Sequence, residues 1–112
     1  MQEMKGRLDG ISMRVPTPNV SVVDLVALID KKASAAEINA AFKAAADSGP
    51  LAPYLDYSTE PLVSTAIVHS SASCTFDSPL TMATGNSVKV FGWYDNEWGY
   101  SCRLVDLVPR VL

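Results

Sequence analysis

Ser87-Val88-Lys89-Val90-Phe91-Gly92-Trp93-Tyr94-Asp95-Asn96-Glu97-Trp98-Gly99-Tyr100-Ser101 changes its period part-way along, and that change decides the fold. From Ser87 to Tyr94 the residues alternate, with Val88 and Val90 on one face and Phe91 and Trp93 available to the other. Branched and aromatic side chains in that pattern suit a pleated strand. Asp95 then carries the short acceptor of a helix N-cap, and Glu97 in the first turn complements the helix dipole. The spacing predicts a helix from about Asn96 to Leu107, with Tyr100, Leu104 and Leu107 along one face.

Working outward, Ser34-Ala35-Ala36-Glu37 is a capping box, in which serine and glutamate each satisfy an orphan amide of a helix start. Ile38, Ala41, Phe42 and Ala45 recur at helical spacing behind it, and Gly49-Pro50 closes the element. Ser21 to Ile29 reads as a strand with apolar residues on both faces, which predicts cover on both sides, in part from another domain or subunit. Gly10 to Val15 alternates through Ile11, Met13 and Val15 and predicts a further strand, ended by Pro16 and Pro18. Val15 to Asn19 is then an extended crossing segment. Leu51 to Pro61 reads as irregular, with Tyr54 and Tyr57 half buried. Ala66 to Val68, Cys74 to Phe76 and Leu80 to Ala83 are short strand candidates, with Ser70 to Ser73 a loop and Gly85-Asn86 a turn. The sum is an α+β fold: an antiparallel or mixed sheet with helices on one face, in one unit over residues 1–112.

The 112 residues, 48% hydrophobic and 19% charged, have an ordinary globular balance. A net charge of −3 with scattered basic residues argues against nucleic acid or anionic lipid as a partner. The aromatic cluster Phe91, Trp93, Tyr94, Trp98 and Tyr100 is expected to be core and interface, since no basic groove accompanies it. Cys74 and Cys102 lack C-x-x-C spacing, and a domain of this size needs no staples, so a reducing, cytoplasmic setting is expected. Neither an export signal nor a membrane-spanning stretch is read in the chain.

Two segments are more specific than their periodicity: Arg14-Val15-Pro16-Thr17-Pro18-Asn19-Val20-Ser21-Val22-Val23-Asp24-Leu25 and Trp93-Tyr94-Asp95-Asn96-Glu97-Trp98-Gly99-Tyr100-Ser101. Both resemble signature stretches of the phosphorylating glyceraldehyde-3-phosphate dehydrogenases, as do Pro61-Leu62-Val63-Ser64-Thr65 and Phe76-Asp77 between them. The resemblance covers roughly Lys5 to Val108 and implies the closing part of the catalytic domain. It implies an aldehyde oxidised through a cysteine hemithioacetal with hydride transfer to NAD or NADP, then phosphorolysis by inorganic phosphate. It also implies a homotetramer. Arg14 matches the arginine that binds substrate phosphate, a task suited to a planar, permanently charged fork. Asn96 matches the asparagine that holds the nicotinamide carboxamide, because one primary amide can donate and accept toward another. Tyr100 matches a tyrosine beside the same nicotinamide and favours the glyceraldehyde enzyme over the erythrose phosphate one.

The family's nucleophilic cysteine, in a Ser-Cys-Thr-Thr-Asn context, and its histidine precede the arginine, whereas thirteen residues precede Arg14 here. Six glycines occur and none has the G-x-G-x-x-G spacing of the dinucleotide-binding Rossmann domain. No catalytic or metal-binding residue is therefore assigned, and the chain alone is expected to be inactive. Ala72-Ser73-Cys74-Thr75 mimics the nucleophile motif but falls after Arg14 and continues into a strand, so Cys74 is read as a packed thiol. His69 is read as a loop side chain, and Cys102, where the family has asparagine, as a plain thiol. Two other readings stand beside the dehydrogenase one. The chain would be a truncated non-catalytic paralogue acting as an interaction or oligomerisation module, or an autonomous enzyme built on Cys74 and His69.

Overall fold

The computed structural model describes residues 2–111, and these form five strands and three α-helices. In chain order they are β1 (Ser21–Leu28), α1 (Ala35–Asp47), β2 (Leu55–Ser58), α2 (Ser64–Ile67), β3 (Cys74–Asp77), β4 (Met82–Thr84), β5 (Ser87–Tyr94) and α3 (Trp98–Val111). The alternating stretch β5 is the strand on which the sheet is assembled, and the order is β1-β5-β3-β2 with β4 also on β5. β1 runs antiparallel to it over its whole length, from Ser21 opposite Tyr94 to Leu28 opposite Ser87. On its other side β5 takes β4 through the Gly85-Asn86 turn, where Gly85 supplies the positive φ of 64°, and then β3, with Phe76 opposite Gly92. β2 pairs with β3 in parallel, so the sheet is mixed and the fold α+β.

α1 begins as its capping box dictates, with the Glu37 amide donating to Ser34 Oγ at 3.2 Å and the Ser34 amide to Glu37 Oε2 at 2.8 Å. It lies on the sheet through Phe42, whose ring stacks on Phe76 at 3.9 Å between centroids, with Tyr57, opposite Phe76 on β2, also stacked against it at 5.7 Å. Phe76 is 2% exposed and anchors the core. Gly92, opposite Phe76, leaves room for the neighbouring Cys74, since a Cβ there would lie 2.5 Å from Cys74 Sγ. α3 leaves β5 and rests on the segment before β3, where Gly99 approaches so closely that a Cβ would be 2.9 Å from the Ala72 carbonyl oxygen.

Several expectations are corrected. Gly10 to Val15 forms no strand, and Ile11 and Met13 are exposed, because alternation describes two faces while a strand also requires an edge to bond to. The region read as irregular contains β2, too short to announce itself. Of Ala66 to Val68, the first two residues belong to the helical turn α2, which buries Ile67, and Val68 caps it. Residues Ser78–Leu80 form a 3₁₀ turn around Pro79, so β4 begins at Met82. α3 starts two residues later than expected and runs on to Val111, with Pro109 accommodated in its last turn. β1 carries apolar residues on both faces as read, and within this chain they stay uncovered, Val26 being 60% and Leu28 78% exposed. The uncovered β1 and the unpaired arm also explain a radius of gyration of 15.1 Å, against roughly 13 Å for a compact domain of this length.

Gly92→Ala is expected to destabilise the fold by about 1–3 kcal/mol through overpacking, with most of the loss recovered by adding Cys74→Ala. Urea denaturation of the two variants checks this, and a harmless Gly92→Ala would mean that Cys74 can move aside.

Candidate functional site

Asp95 follows the last residue of β5 and is 1% exposed. Its Oδ1 accepts from Asn19 Nδ2 at 2.9 Å, from the Glu97 amide at 2.9 Å and from the Trp98 amide at 2.8 Å, while Oδ2 accepts from the His69 amide at 2.8 Å. One carboxylate thus caps α3 and ties the segments before β1 and before β3 to the end of β5. Burial by itself pushes this carboxyl up. The amides of Trp98 and His69, the Asn19 carboxamide and the Glu97 amide overrule it and hold it well below the usual carboxylate range.

Among the described residues, the two non-glycine residues with left-handed backbone stand beside these donors. Val20, at φ 79°, is buried and follows Asn19, whose Oδ1 accepts the Val20 amide at 2.7 Å. His69, at φ 67°, is itself the donor to Oδ2. A β-branched residue at positive φ is strained, and it persists where its surroundings fix it on both sides.

Asn96 comes next in the chain and is exposed, with Oδ1 accepting from Ser21 Oγ at 3.2 Å. Tyr100, four residues on in α3, is 64% exposed. Both line an open depression of about 270 Å³ together with Ser73, Tyr94, Gly99 and Arg103. Arg103 is not a free cation: it donates to Asp106 at 2.8 Å, to the Ser71 carbonyl at 3.2 Å and to Ser73 Oγ at 2.9 Å, and lies over the Tyr54 ring at 4.8 Å. Arg14 stands in the exposed arm ahead of Asn19 and is not among the lining residues; no hydrogen bond or ion pair engages it among the described residues. The structure therefore brings Asn96 and Tyr100 together and leaves Arg14 apart. Sequence reading missed Asn19, Ser21 and Arg103, whose roles depend on contacts across the fold.

Cys74 and His69 do not form a nucleophile and base. Burial, and secondarily the charge of Asp56, pushes the Cys74 thiol up, away from the reactive thiolate. The His69 ring meets Trp98 edge-on at 5.9 Å. Among the described residues no group of three His, Cys, Asp or Glu side chains is arranged to hold a metal ion.

The family model described as "Glyceraldehyde 3-phosphate dehydrogenase, C-terminal domain" matches residues 1–96. The chain belongs to this family. It is 56% identical over 112 residues to glyceraldehyde-3-phosphate dehydrogenase 2 of Streptomyces avermitilis, covering 99% of this chain and 33% of that protein. It is 56% identical over 112 residues to the dehydrogenase of Geobacillus stearothermophilus, with the same coverage. It is 57% identical over 113 residues to the chloroplastic dehydrogenase B of Pisum sativum, covering 99% of this chain and 25% of that protein. The chain spans about a third or less of the length of these relatives. Arg14 and Asn96 fall inside the span of the dehydrogenase family model and Tyr100 just beyond it.

The depressed Asp95 carboxyl predicts an acid limb of stability. Below about pH 4 the unfolded chain takes up a proton that the folded chain refuses, so this stabilisation, full above the ordinary carboxylate range, is lost as pH falls. Asp95→Asn should flatten that limb and cost about 1–3 kcal/mol at neutral pH, because an amide nitrogen would then face an amide donor. Urea midpoints from pH 3 to pH 7 measure both effects.

Proposed function

We propose that this chain is the C-terminal part of the catalytic domain of an NAD- or NADP-dependent phosphorylating glyceraldehyde-3-phosphate dehydrogenase. Arg14 contacts the substrate phosphate, and Asn96 with Tyr100 contacts the nicotinamide. The observation that carries the reading is the presentation of Asn96. Its backbone is fixed by the Asp95 cap, while its side chain stands exposed at the mouth of the depression beside Tyr100.

The donor chemistry fits a nicotinamide carboxamide. Among the described residues Asn96 Oδ1 takes one donor, from Ser21, and Nδ2 takes no acceptor, so a donor and a spare lone pair remain. The exposed Tyr100 ring offers an amphipathic wall beside them. When bound, the nicotinamide supplies the hydride acceptor. Arg14, always charged and without a partner among the described residues, suits a phosphate dianion, to which its fork can donate twice. The nucleophilic cysteine, its histidine and the pyrophosphate cradle belong to the N-terminal part of such an enzyme, outside these 112 residues, and residues 1–112 by themselves are inactive. The working form is a cytoplasmic homo-oligomer that consumes glyceraldehyde 3-phosphate and inorganic phosphate.

A specific observation also favours an interaction module. β1 exposes Val22, Val23, Leu25 and Val26, and α3 exposes Leu104, Val105, Leu107 and Val108, apolar faces of the kind that mark interaction surfaces. Co-elution of residues 1–112 with a full-length dehydrogenase on size exclusion would support that reading.

The deciding experiment joins residues 1–112 to the N-terminal two-thirds of the Streptomyces avermitilis enzyme. The chimera is expected to reduce NAD with glyceraldehyde 3-phosphate and phosphate, while the chain alone shows no turnover. Arg14→Ala should raise KM for the aldehyde roughly 10- to 100-fold, the worth of charge-assisted hydrogen bonds, and leave NAD affinity unchanged. Asn96→Ala should do the reverse, weakening NAD about threefold to tenfold. Turnover by the chain alone, or a chimera indifferent to both substitutions, would overturn the assignment.

A further inference from the structure

The Asn96 amide is held by a residue of another strand. Ser21 opens β1, opposite Tyr94, the last residue of β5, so the backbone ladder ends one residue short of Asp95 and two short of Asn96. Two side-chain bridges continue it: Asn19 Nδ2 donates to Asp95 Oδ1 at 2.9 Å, and Ser21 Oγ donates to Asn96 Oδ1 at 3.2 Å. The first acts on the chain turning into α3. The second is the one hydrogen bond that the Asn96 side chain makes among the described residues.

Without it, an exposed asparagine would rotate freely about χ1 and flip its amide about χ2, which has no sharp wells. A ligand that needs the donor and acceptor ends side by side would then have to order the side chain on binding. Resting on the proposed nicotinamide role of Asn96, the geometry points to Ser21 as a positioning residue that immobilises the Asn96 amide in advance and so raises affinity for the nicotinamide carboxamide. Ser21 is suited to this because the ladder fixes its backbone, so its hydroxyl is presented from a rigid strand. The bond uses one lone pair of Oδ1 and leaves Nδ2 and the other lone pair to the ligand.

The test uses the chimera and reads the equilibrium dissociation constant for NAD by titration calorimetry, with KM for glyceraldehyde 3-phosphate as control. Ser21→Ala is expected to weaken NAD binding roughly threefold to tenfold, the cost of ordering one side chain, and to leave that KM unchanged. Ser21→Thr restores the hydroxyl and should bind as the parent does. Ser21→Val has the same shape without the hydroxyl, is well suited to a strand, and should behave as Ser21→Ala even if the smaller side chain loosens β1. In an Asn96→Ala background none of the Ser21 variants should change the dissociation constant further.

Loss of affinity in Ser21→Val with retention in Ser21→Thr, abolished by Asn96→Ala, supports the positioning role. Unchanged affinity in Ser21→Val, or a loss that persists undiminished beside Asn96→Ala, overturns it while the role of Asn96 stands. An Asn96→Ala chimera that binds NAD as the parent does overturns the role of Asn96 itself.

Discussion

The Asp95 carboxylate is where the separate parts of this fold are joined. It is buried, and its four hydrogen-bond partners are N–H donors from three stretches of chain: Asn19 before β1, His69 before β3, and Glu97 and Trp98 at the start of α3. Burying a charge is costly unless it is fully bonded, and this one is, so the same interaction that caps a helix also fixes the angle at which α3 leaves the sheet. The position of Asn96 follows, as does that of Tyr100 one turn later. Ser21 reaches Asn96 because Asn19, two residues earlier, is already tied to the same corner.

What could be read from the residues was local. The bounds of β5 and the cap that starts α1 come from alternation and from a serine and a glutamate three apart, both properties of a single segment. Asp95 was legible as a cap for the same reason. Its bonds to Asn19 and His69, 76 and 26 residues away, were not, because no local pattern encodes which loop will meet which strand end. β2 was hidden by having four residues and a parallel partner, and Gly10 to Val15 misled because it had the pattern of a strand without a neighbour. Of the site, Arg14, Asn96 and Tyr100 came from resemblance, while Ser21 and Arg103 needed the fold to show what they touch.

More than half of the large apolar side chains that the described residues leave exposed lie on two elements. They are β1 and α3, whose N-terminal ends supply Ser21, which donates to Asn96, and Tyr100, which lines the depression. Only five apolar residues, Val20, Ile67, Ala72, Phe76 and Val88, are buried among the described residues, a small core for the length. A surface laid over β1 and α3 would bury their exposed apolar side chains and border Asn96 and Tyr100 in the same step.

The strain at Val20 and His69 shows why residue 95 is an aspartate. Each left-handed residue costs about 1–3 kcal/mol, and each stands where the chain turns to aim a donor at the same carboxylate. An asparagine offers one accepting oxygen and a nitrogen that must itself donate, so it would satisfy the partners of Oδ1 and repel the His69 amide. Glutamate would place its carboxylate a methylene too far from the Glu97 and Trp98 amides to cap the helix from this backbone position. Four donors and no acceptor surround the group, and a short ionised carboxylate is the side chain that answers all of them without adding a donor of its own.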